Sequence, residues 1–418
     1  MSKLLNVIGL GYIGLPTSLI FSSVGLSVHG SDINKNTIKK LNDNELPIKE
    51  IGLSELYLKS VENHITFSTD IVRAEFYIIA VPTPYNSKSK TVDASYIIEA
   101  TKSILGKTNH NSIVIIESTV SPGTIQKFIA PIIDDFNSKN NTKLKLAHAP
   151  ERIIPGNMVY ELKTNSRTIG ADDLEVLDKV ANLYSKITTG KIVKTSIYNA
   201  ELTKVVENTF RAVNIAFSNE LLKLGSYYNF DPYEIIKICN LHPRVKILNP
   251  GPGVGGHCIP IDPWFLVGDW PLHTELIKLA LETNEGMPDF VLKHINKIKK
   301  IHKLNDNSKI GIYGLTYKEN VDDIRESPSL QLLSLIEHGL GGHLKSFDPT
   351  LNKRLVDGQL LSFNDFMDGI DFVIVMVKHT QVIQNLSYFA NKIVLDSHNF
   401  IPPESTKIRY LLSDSLDY

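Results

Sequence analysis

Between Leu4 and Asp32 three structural signals are pressed against three glycines. Leu4-Leu5-Asn6-Val7-Ile8 is an apolar run of strand length, and Gly9-Leu10-Gly11-Tyr12-Ile13-Gly14 follows it directly. A helical pattern from Leu15 to Val24 comes next, then a second strand-like run from Leu26 to Gly30, then Asp32. A glycine turn that delivers a strand into a helix aims the first helical N–H groups past the strand's carboxyl end, where an anion can sit. Gly9 permits the turn, Gly11 admits a pyrophosphate, and Gly14 lets helix meet strand. Asp32 can accept hydrogen bonds from both ribose hydroxyls and would repel a 2′-phosphate. The reading is a unit that binds NAD rather than NADP, with contacts from Gly9, Gly11, Tyr12, Ile13, Gly14 and Asp32. A coincidental glycine turn is the weaker reading in this context.

The alternation of strand and helix continues. Glu75 to Val81 is an apolar strand ending in Pro82-Thr83-Pro84, and Ser112 to Ile116 is another, ending in Glu117-Ser118-Thr119. Lys145 to Ala149 runs into Pro150-Glu151-Arg152. In open α/β sheets ligands bind beyond the carboxyl ends of the strands, which puts Pro82, Thr83, Thr119 and Glu151 on the ligand edge. Taken alone, Glu151 would read as a helix-start carboxylate.

From Asn199 the pattern turns helical and stays so to about Tyr228. Glu201, Lys204 and Asn208 stand three and four apart, so they share one helix face. A cation and an amide there could hold an oxyanion; a solvated face with a Glu–Lys pair is the plainer alternative. Asp231-Pro232 caps a further helix in which Cys239, among Ile235, Ile236 and Ile238, reads as core. Asn240-Leu241-His242-Pro243-Arg244 then leads to Gly251-Pro252-Gly253-Val254-Gly255-Gly256-His257-Cys258, with Asp262 four residues on. A loop this rich in glycine can bring a thiol to a ligand lying against main chain. The bland alternative is a buried cysteine beside a turn. A metal held by His257 and Cys258 is disfavoured, because adjacent side chains diverge and no spaced partner follows.

Lys309 to Tyr313 opens a second α/β stretch, followed by Gly314 to Pro328, a helix from Ser329, and strands at His343–Phe347, Phe372–Val377 and Ile393–Leu395. It lacks its own GxGxxG. Lys318 and Arg325 at its first strand end suit a phosphate ligand, or else a salt-bridged loop. The fold expected is α/β: two doubly wound Rossmann-like domains, 1–195 and 305–418, joined by a central helical domain, 196–304. A chain of 418 residues is too long for one core and suits this division. No internal repeat is visible.

The formal net charge of -1 selects neither nucleic acid nor an anionic membrane. Two cysteines are too few for a disulfide framework and fit a reducing cytosol. Glycines interrupt the apolar N-terminal run, so neither a signal peptide nor a membrane span is expected.

Taken in order, these motifs resemble the nucleotide-sugar 6-dehydrogenases, the UDP-glucose/GDP-mannose dehydrogenase family. The likeness runs through the GxGxxG, Val81-Pro82-Thr83-Pro84, Glu117-Ser118-Thr119, Pro150-Glu151, Lys204 with Asn208, Gly255 to Asp262, and Gly314 to Pro328. Pro150 to Gly156, His242-Pro243-Arg244 and Pro250 to Cys258 look most like the branch that oxidises UDP-N-acetyl-D-mannosamine. UDP-glucose enzymes tend to have an aromatic where Arg152 stands and a second glutamate where Pro155 stands.

The resemblance implies two successive hydride transfers from the sugar C6 to two NAD molecules, with Cys258 holding the carbon as thiohemiacetal and then thioester. It implies that Lys204 and Asn208 hold the oxyanion, that Thr119 positions water, and that Glu151 or Asp262 activates it. Glu151, Arg152, Lys204, Asn208, Arg244, Gly255 and Lys318 would contact the UDP-sugar, and Arg325 both substrate and cofactor. Arg244 would come from the second subunit of a cytoplasmic homodimer serving capsule or surface-polysaccharide synthesis. The rival readings are the same chemistry on UDP-N-acetyl-glucosamine or UDP-glucose, a two-electron hydroxyacid dehydrogenase, and a nucleotide-sugar binder without catalysis.

Overall fold

A computed structural model describes residues 3–48, 50–86, 90–153, 156–304, 309–340 and 344–415. It divides into two compact units, Met1–Glu207 and Asn208–Tyr418. The dividing point falls inside one long helix, Ile197–Tyr228.

The first unit is built on an eight-stranded sheet: β1 (Lys3–Ile8), β2 (Val28–Ser31), β3 (Thr66–Ser68), β4 (Ala74–Ile79), β5 (Ile113–Ile116), β6 (Lys145–His148), β7 (Arg167–Gly170) and β8 (Ile192–Thr195). Their spatial order is β3-β2-β1-β4-β5-β6-β7-β8. All neighbours run parallel except β6 and β7, which meet antiparallel at His148 and Gly170. β1, β4 and β5 are near-continuous Val/Ile/Leu/Phe runs because helices cover both faces. One face buries Leu5, Val7, Phe76, Ile78 and Ile115; the other buries Tyr77, Ile79, Val114 and Ile116. Helix α1 (Gly14–Ser23), buried at every residue, lies on the first face.

The second unit carries β9 (Ile310–Tyr313), β10 (Lys345–Phe347), β11 (Gln359–Leu360), β12 (Phe372–Val375), β13 (Ile393–Asp396) and β14 (Ile408–Leu411). Its order is β11-β10-β9-β12-β13-β14, all parallel. Met287, Val291, Ile295 and Ile298, from the helix Met287–Ile301, pack on one face with Ile310, Ile312, Phe372 and Ile374. The last helix before the second α/β stretch is thus also a layer of that sheet. The start of the second strand expected in this stretch, His343, lies outside the described residues.

No repeat is visible in the residues, yet the two sheets share one topology, third-second-first-fourth-fifth-sixth, and one corner. β1 runs into Gly9 at φ 88 and β9 into Gly314 at φ 91. The next residue, Leu10 or Leu315, donates its N–H at 2.7 Å to Asp32 or Asp348, the carboxylate that follows the second strand. The likeness is carried by backbone geometry, which tolerates nearly complete replacement of side chains.

The two aspartates differ in what else they do. Asp32 is half-buried, whereas Asp348 is fully buried and also accepts from Thr316 N–H (3.0 Å), Thr316 Oγ1 (3.1 Å) and the His379 ring (3.3 Å). These donors hold the Asp348 carboxyl below the usual carboxylate range despite its burial. A carboxylate so occupied has nothing left for a ribose. Only the first unit keeps an aspartate that can read one.

Among the described residues no helix is long and apolar enough to cross a membrane.

Candidate active site

In the first unit the residues read from the sequence gather at the carboxyl edge of the sheet. A Cβ on Gly14 would sit 1.8 Å from the Gly9 carbonyl oxygen, so helix and turn can meet only through glycine. A Cβ on Gly11 would meet nothing within 4 Å, which leaves the approach over the turn open. No side chain caps the N-terminus of α1. Asp32 is oriented by Leu10 N–H on Oδ2 and by Asn34 N–H, 2.8 Å from Oδ1. An open glycine turn, an uncapped helix start and an aligned carboxylate fit an NAD molecule. Tyr12 and Ile13 are half-buried in the turn, Thr83 is buried beyond β4, Pro82 beside it is exposed, and Thr119 is half-buried beyond β5.

Behind this edge lies a buried ionic cluster. Arg167, the first residue of β7, is 2% exposed. Its Nη1 stands 3.3 Å from Glu117 Oε1, and its Nη2 forms an ion pair with Glu151 Oε2 at 2.5 Å. Tyr184 donates to Glu117 Oε1 at 3.0 Å and Thr17 to Oε2 at 3.1 Å. The Arg167 guanidinium also lies 5.0 Å from the Tyr184 ring centroid. Burial raises Glu117 to about 7 despite Arg167. Nothing in the sequence reading pointed to Arg167. The strand that it opens is buried at every residue, which only the fold reveals.

Arg152 turns its guanidinium to Glu207, at 2.5 Å, and to the Ser166 carbonyl, also 2.5 Å. The neighbouring Ile154 and Pro155 lie outside the described residues.

The long helix does not present a solvated Glu–Lys face. Glu201, Lys204 and Asn208 are 1%, 7% and 8% exposed. Glu201 accepts from Gly123 N–H at 2.6 Å and Ile125 N–H at 2.9 Å, so it holds the turn after β5 in place. Desolvation raises its carboxyl to about 7. Lys204 lies on the same helix as Asn208, one turn earlier.

In the second unit the cysteine loop is built from inside. Cys258 is partly exposed and forms no disulfide, so the buried-core alternative fails for it. Its carbonyl accepts Ile261 N–H (3.1 Å) and Asp262 N–H (2.8 Å), which starts the helix Asp262–Asp269. Asp262 is buried and accepts from Asn208 Nδ2 at 2.6 Å. The Asn219 side chain, on the long helix, accepts Gly251 N–H at 3.0 Å and anchors the start of the loop.

The glycines of this loop answer to the protein itself. A Cβ on Gly255 would stand 2.5 Å from Tyr317 Cβ and 2.8 Å from the Glu326 carbonyl. Gly256, at φ 91, donates its N–H to the Arg325 carbonyl at 2.9 Å. The loop is therefore seated on the segment carrying Lys318 and Arg325. Arg325 pairs with Asp323 (Nη2–Oδ2 2.6 Å), the salt-bridged alternative, while its side chain stays 42% exposed. Lys318 is half-buried and Arg244 exposed. Cys239 departs from expectation: it ends the helix Pro232–Cys239 only half-buried, because Ile236 faces inward and Ile235 and Ile238 are exposed.

An NAD-type nucleotide edge in one unit, and in the other a partly exposed thiol near a buried amide–carboxylate pair, fit a dehydrogenase. Comparison with known proteins agrees. Three profiles of the UDP-glucose/GDP-mannose dehydrogenase family match: its NAD binding domain over residues 3–188, its central domain over 198–286 and its UDP binding domain over 311–403. A UDP-N-acetyl-D-mannosamine dehydrogenase of Methanocaldococcus jannaschii is 38% identical over 416 residues, 97% of this chain and 94% of that protein. A solved UDP-D-ManNAc dehydrogenase of Pyrococcus horikoshii aligns with TM-score 0.90 and 32% identity, over 99% of this chain and 100% of that one. The UDP-N-acetyl-mannosamine dehydrogenase of Staphylococcus aureus aligns with TM-score 0.87 and 34% identity, over 99% of both. The chain belongs to the UDP-glucose/GDP-mannose dehydrogenase family and is an NAD-dependent enzyme that oxidises a UDP-sugar.

Proposed function

We propose that this enzyme oxidises the C6 hydroxyl of UDP-N-acetyl-D-mannosamine to the carboxylate in two steps, with Cys258 carrying the carbon between them. The observation that carries the reading is the partly exposed Cys258, held on a glycine loop and followed within one turn by Asp262, which Asn208 engages at 2.6 Å. The choice of sugar rests on the relatives and on Arg152, where glucose enzymes tend to have an aromatic.

Bound NAD supplies the hydride acceptor for both oxidations. The C6 hydroxyl loses a hydride and a proton and becomes an aldehyde. Cys258 Sγ, as thiolate, adds to that carbon; the carbonyl oxygen becomes an oxyanion, takes a proton, and a thiohemiacetal results. Loss of a second hydride and the hydroxyl proton leaves a thioester. Water then adds, the C–S bond breaks, the thiolate departs, and the acid ionises. Lys204 and Asn208 are assigned to the oxyanion at each stage, where removing one donor costs on the order of 3 kcal/mol. An ordinary thiol titrates at about 8.5 and needs a cation to favour the thiolate, a part also assigned to Lys204. Thr119 is assigned to positioning the water, and Glu151 and Asp262 to taking its proton. Arg152, Arg244, Gly255, Lys318 and Arg325 are assigned to the UDP-sugar, Arg325 reaching the cofactor as well.

The long helix supports assembly as a homodimer. Phe210, Phe217 and Leu224 recur every seven residues and are 67%, 50% and 45% exposed, with Tyr228 at 75% continuing the stripe. A repeat of that period suits helix-to-helix packing. Phe217→Glu should give monomers by light scattering. A cytoplasmic place and a role in capsule or surface-polysaccharide synthesis belong to the same proposal and rest on the family resemblance.

The test is a panel of UDP-N-acetyl-D-mannosamine, UDP-N-acetyl-glucosamine and UDP-glucose with NADH counted per sugar. Two NADH per sugar, fastest on the first, is the expected result. One NADH, or faster turnover of either rival, defeats the proposal.

A further inference from the structure

The buried cluster behind the nucleotide edge has a chemistry of its own. One guanidinium, on Arg167, stands between two carboxylates, on Glu117 and Glu151, and all three are nearly inaccessible: 2%, 1% and 6% exposed. One positive charge against two negative ones in a low-dielectric interior leaves a charge uncompensated, and such a group takes up a proton instead. The partners decide which carboxyl holds it. Glu151 faces only groups that cannot accept: the guanidinium as an ion pair at Oε2 and its neighbour's backbone N–H, Arg152, on Oε1 (2.6 Å). Donors that cannot accept favour the ionised form. Glu117 also meets the guanidinium, at 3.3 Å on Oε1, but has two hydroxyls besides, Tyr184 on Oε1 and Thr17 on Oε2, and a hydroxyl can donate or accept. Glu117 can therefore carry a proton and keep its partners; Glu151 cannot.

We propose that Arg167 is a positioning residue that couples Glu117 and Glu151 into one buried unit with a single shared proton, held on Glu117 so that Glu151 stays an anion. The charge of Glu151 is then set from behind, by a residue that touches neither substrate nor cofactor. Burial pushing Glu117 up to about 7 agrees with this division. The other ionisable groups around the cluster do not supply the missing charge. The Arg152 guanidinium is engaged by Glu207 and the Ser166 carbonyl. His148, last in β6, is fully buried, hydrogen-bonds the Ile116 carbonyl through Nδ1, and is kept neutral by burial. Tyr184 is held far above its ordinary value.

The proposal rests on the role given to Glu151 above, but it can be read without turnover. In infrared difference titration of the NAD-bound enzyme, the carbonyl stretch of a buried carboxylic acid should be present at pH 6 and lost above pH 8. The band should be absent in Glu117→Gln at every pH, and in Glu151→Gln it should be lost at a lower pH than in the parent, because the guanidinium then faces a single carboxylate. A band that persists in Glu117→Gln overturns the assignment, whatever sugar the enzyme oxidises. In steady state, Glu117→Gln, a neutral stand-in for the protonated acid, should leave the acidic limb of the pH–kcat profile in place. Arg167→Lys, whose compact charge cannot pair with both carboxylates, should move it up. A limb unmoved by Arg167→Lys, with activity falling equally at every pH, would reduce Arg167 to a structural role, and a limb shifted down by Glu117→Gln would mean that Glu117 carries a charge there and not the proton. Should Glu117→Gln fail to fold, Arg167→Lys decides alone: an unmoved limb defeats the coupling.

Discussion

Asn208 donates its side-chain amide to Asp262 at 2.6 Å, with both residues buried, so the long helix and the first turn after the cysteine loop act as one polar unit. Residues assigned separately to an oxyanion and to water are thus hydrogen-bonded to each other. Removing either leaves the other buried with a lost partner, and their effects must overlap. Asn208→Ala and Asp262→Ala should each lower kcat by about two to three powers of ten. The double variant should fall well short of the product of the two losses. Strictly multiplicative losses would mean that the hydrogen bond carries no catalytic coupling.

Cys258→Ser should slow the second oxidation more than the first, because only the second depends on a nucleophile. Single-turnover traces of NADH formation would then split into a fast and a much slower phase. Equal slowing of both phases contradicts the covalent route. Lys204→Ala should lower turnover with little change in NAD affinity, and a collapse of NAD binding by calorimetry would relocate its role to the cofactor.

Two buried groups should tilt stability with pH in opposite directions. His148 is depressed to about 4 in the fold against an ordinary 6.5. Its contribution is complete above pH 6.5 and is lost as pH falls towards 4, a difference of about 3 kcal/mol. Glu201 is raised to about 7, so its contribution is complete below its ordinary 4.5 and is lost as pH rises through 7. In urea titrations, His148→Gln should therefore be more damaging at pH 7.5 than at pH 4.5, and Glu201→Gln more damaging at pH 5 than at pH 8. Reversal of either trend would show that burial does not set that group's charge. Glu201→Ala also strips the Gly123 and Ile125 N–H groups of their acceptor and should destabilise by about 2–4 kcal/mol.

Asp32→Ala should raise KM for NAD about tenfold or more, the equivalent of a lost charge-assisted hydrogen bond. It should also make NADP a measurable substrate by removing the charge that repels its 2′-phosphate. Unchanged KM with continued exclusion of NADP would show that the ribose is read elsewhere.

The fold was largely legible because burial on both faces writes parallel strands as apolar runs, and because Gly9, Gly11 and Gly14 admit few other geometries. Helix starts were legible for a local reason: Asp231 accepts Tyr233 N–H at 2.8 Å, a bond set by neighbours in the chain. The buried cluster was not legible. Arg167 meets Glu117 across 50 positions and Glu151 across 16, and no spacing rule links such residues. Cys239 was misplaced because an apolar neighbourhood in sequence, Ile235 to Ile238, divides between two faces once wound into a helix.

Taken by itself, the amino-acid order determined two α/β sheets, a nucleotide turn, a glycine-borne thiol and the family they mark, because each is a pattern of short range. Which carboxylate pairs with which cation, that Glu201 braces a turn rather than Lys204, and that Asp348 is occupied where Asp32 is open were decided only by tertiary structure. Charge and hydrogen bonding depend on the distance and burial of groups far apart in the chain, and only folding sets both.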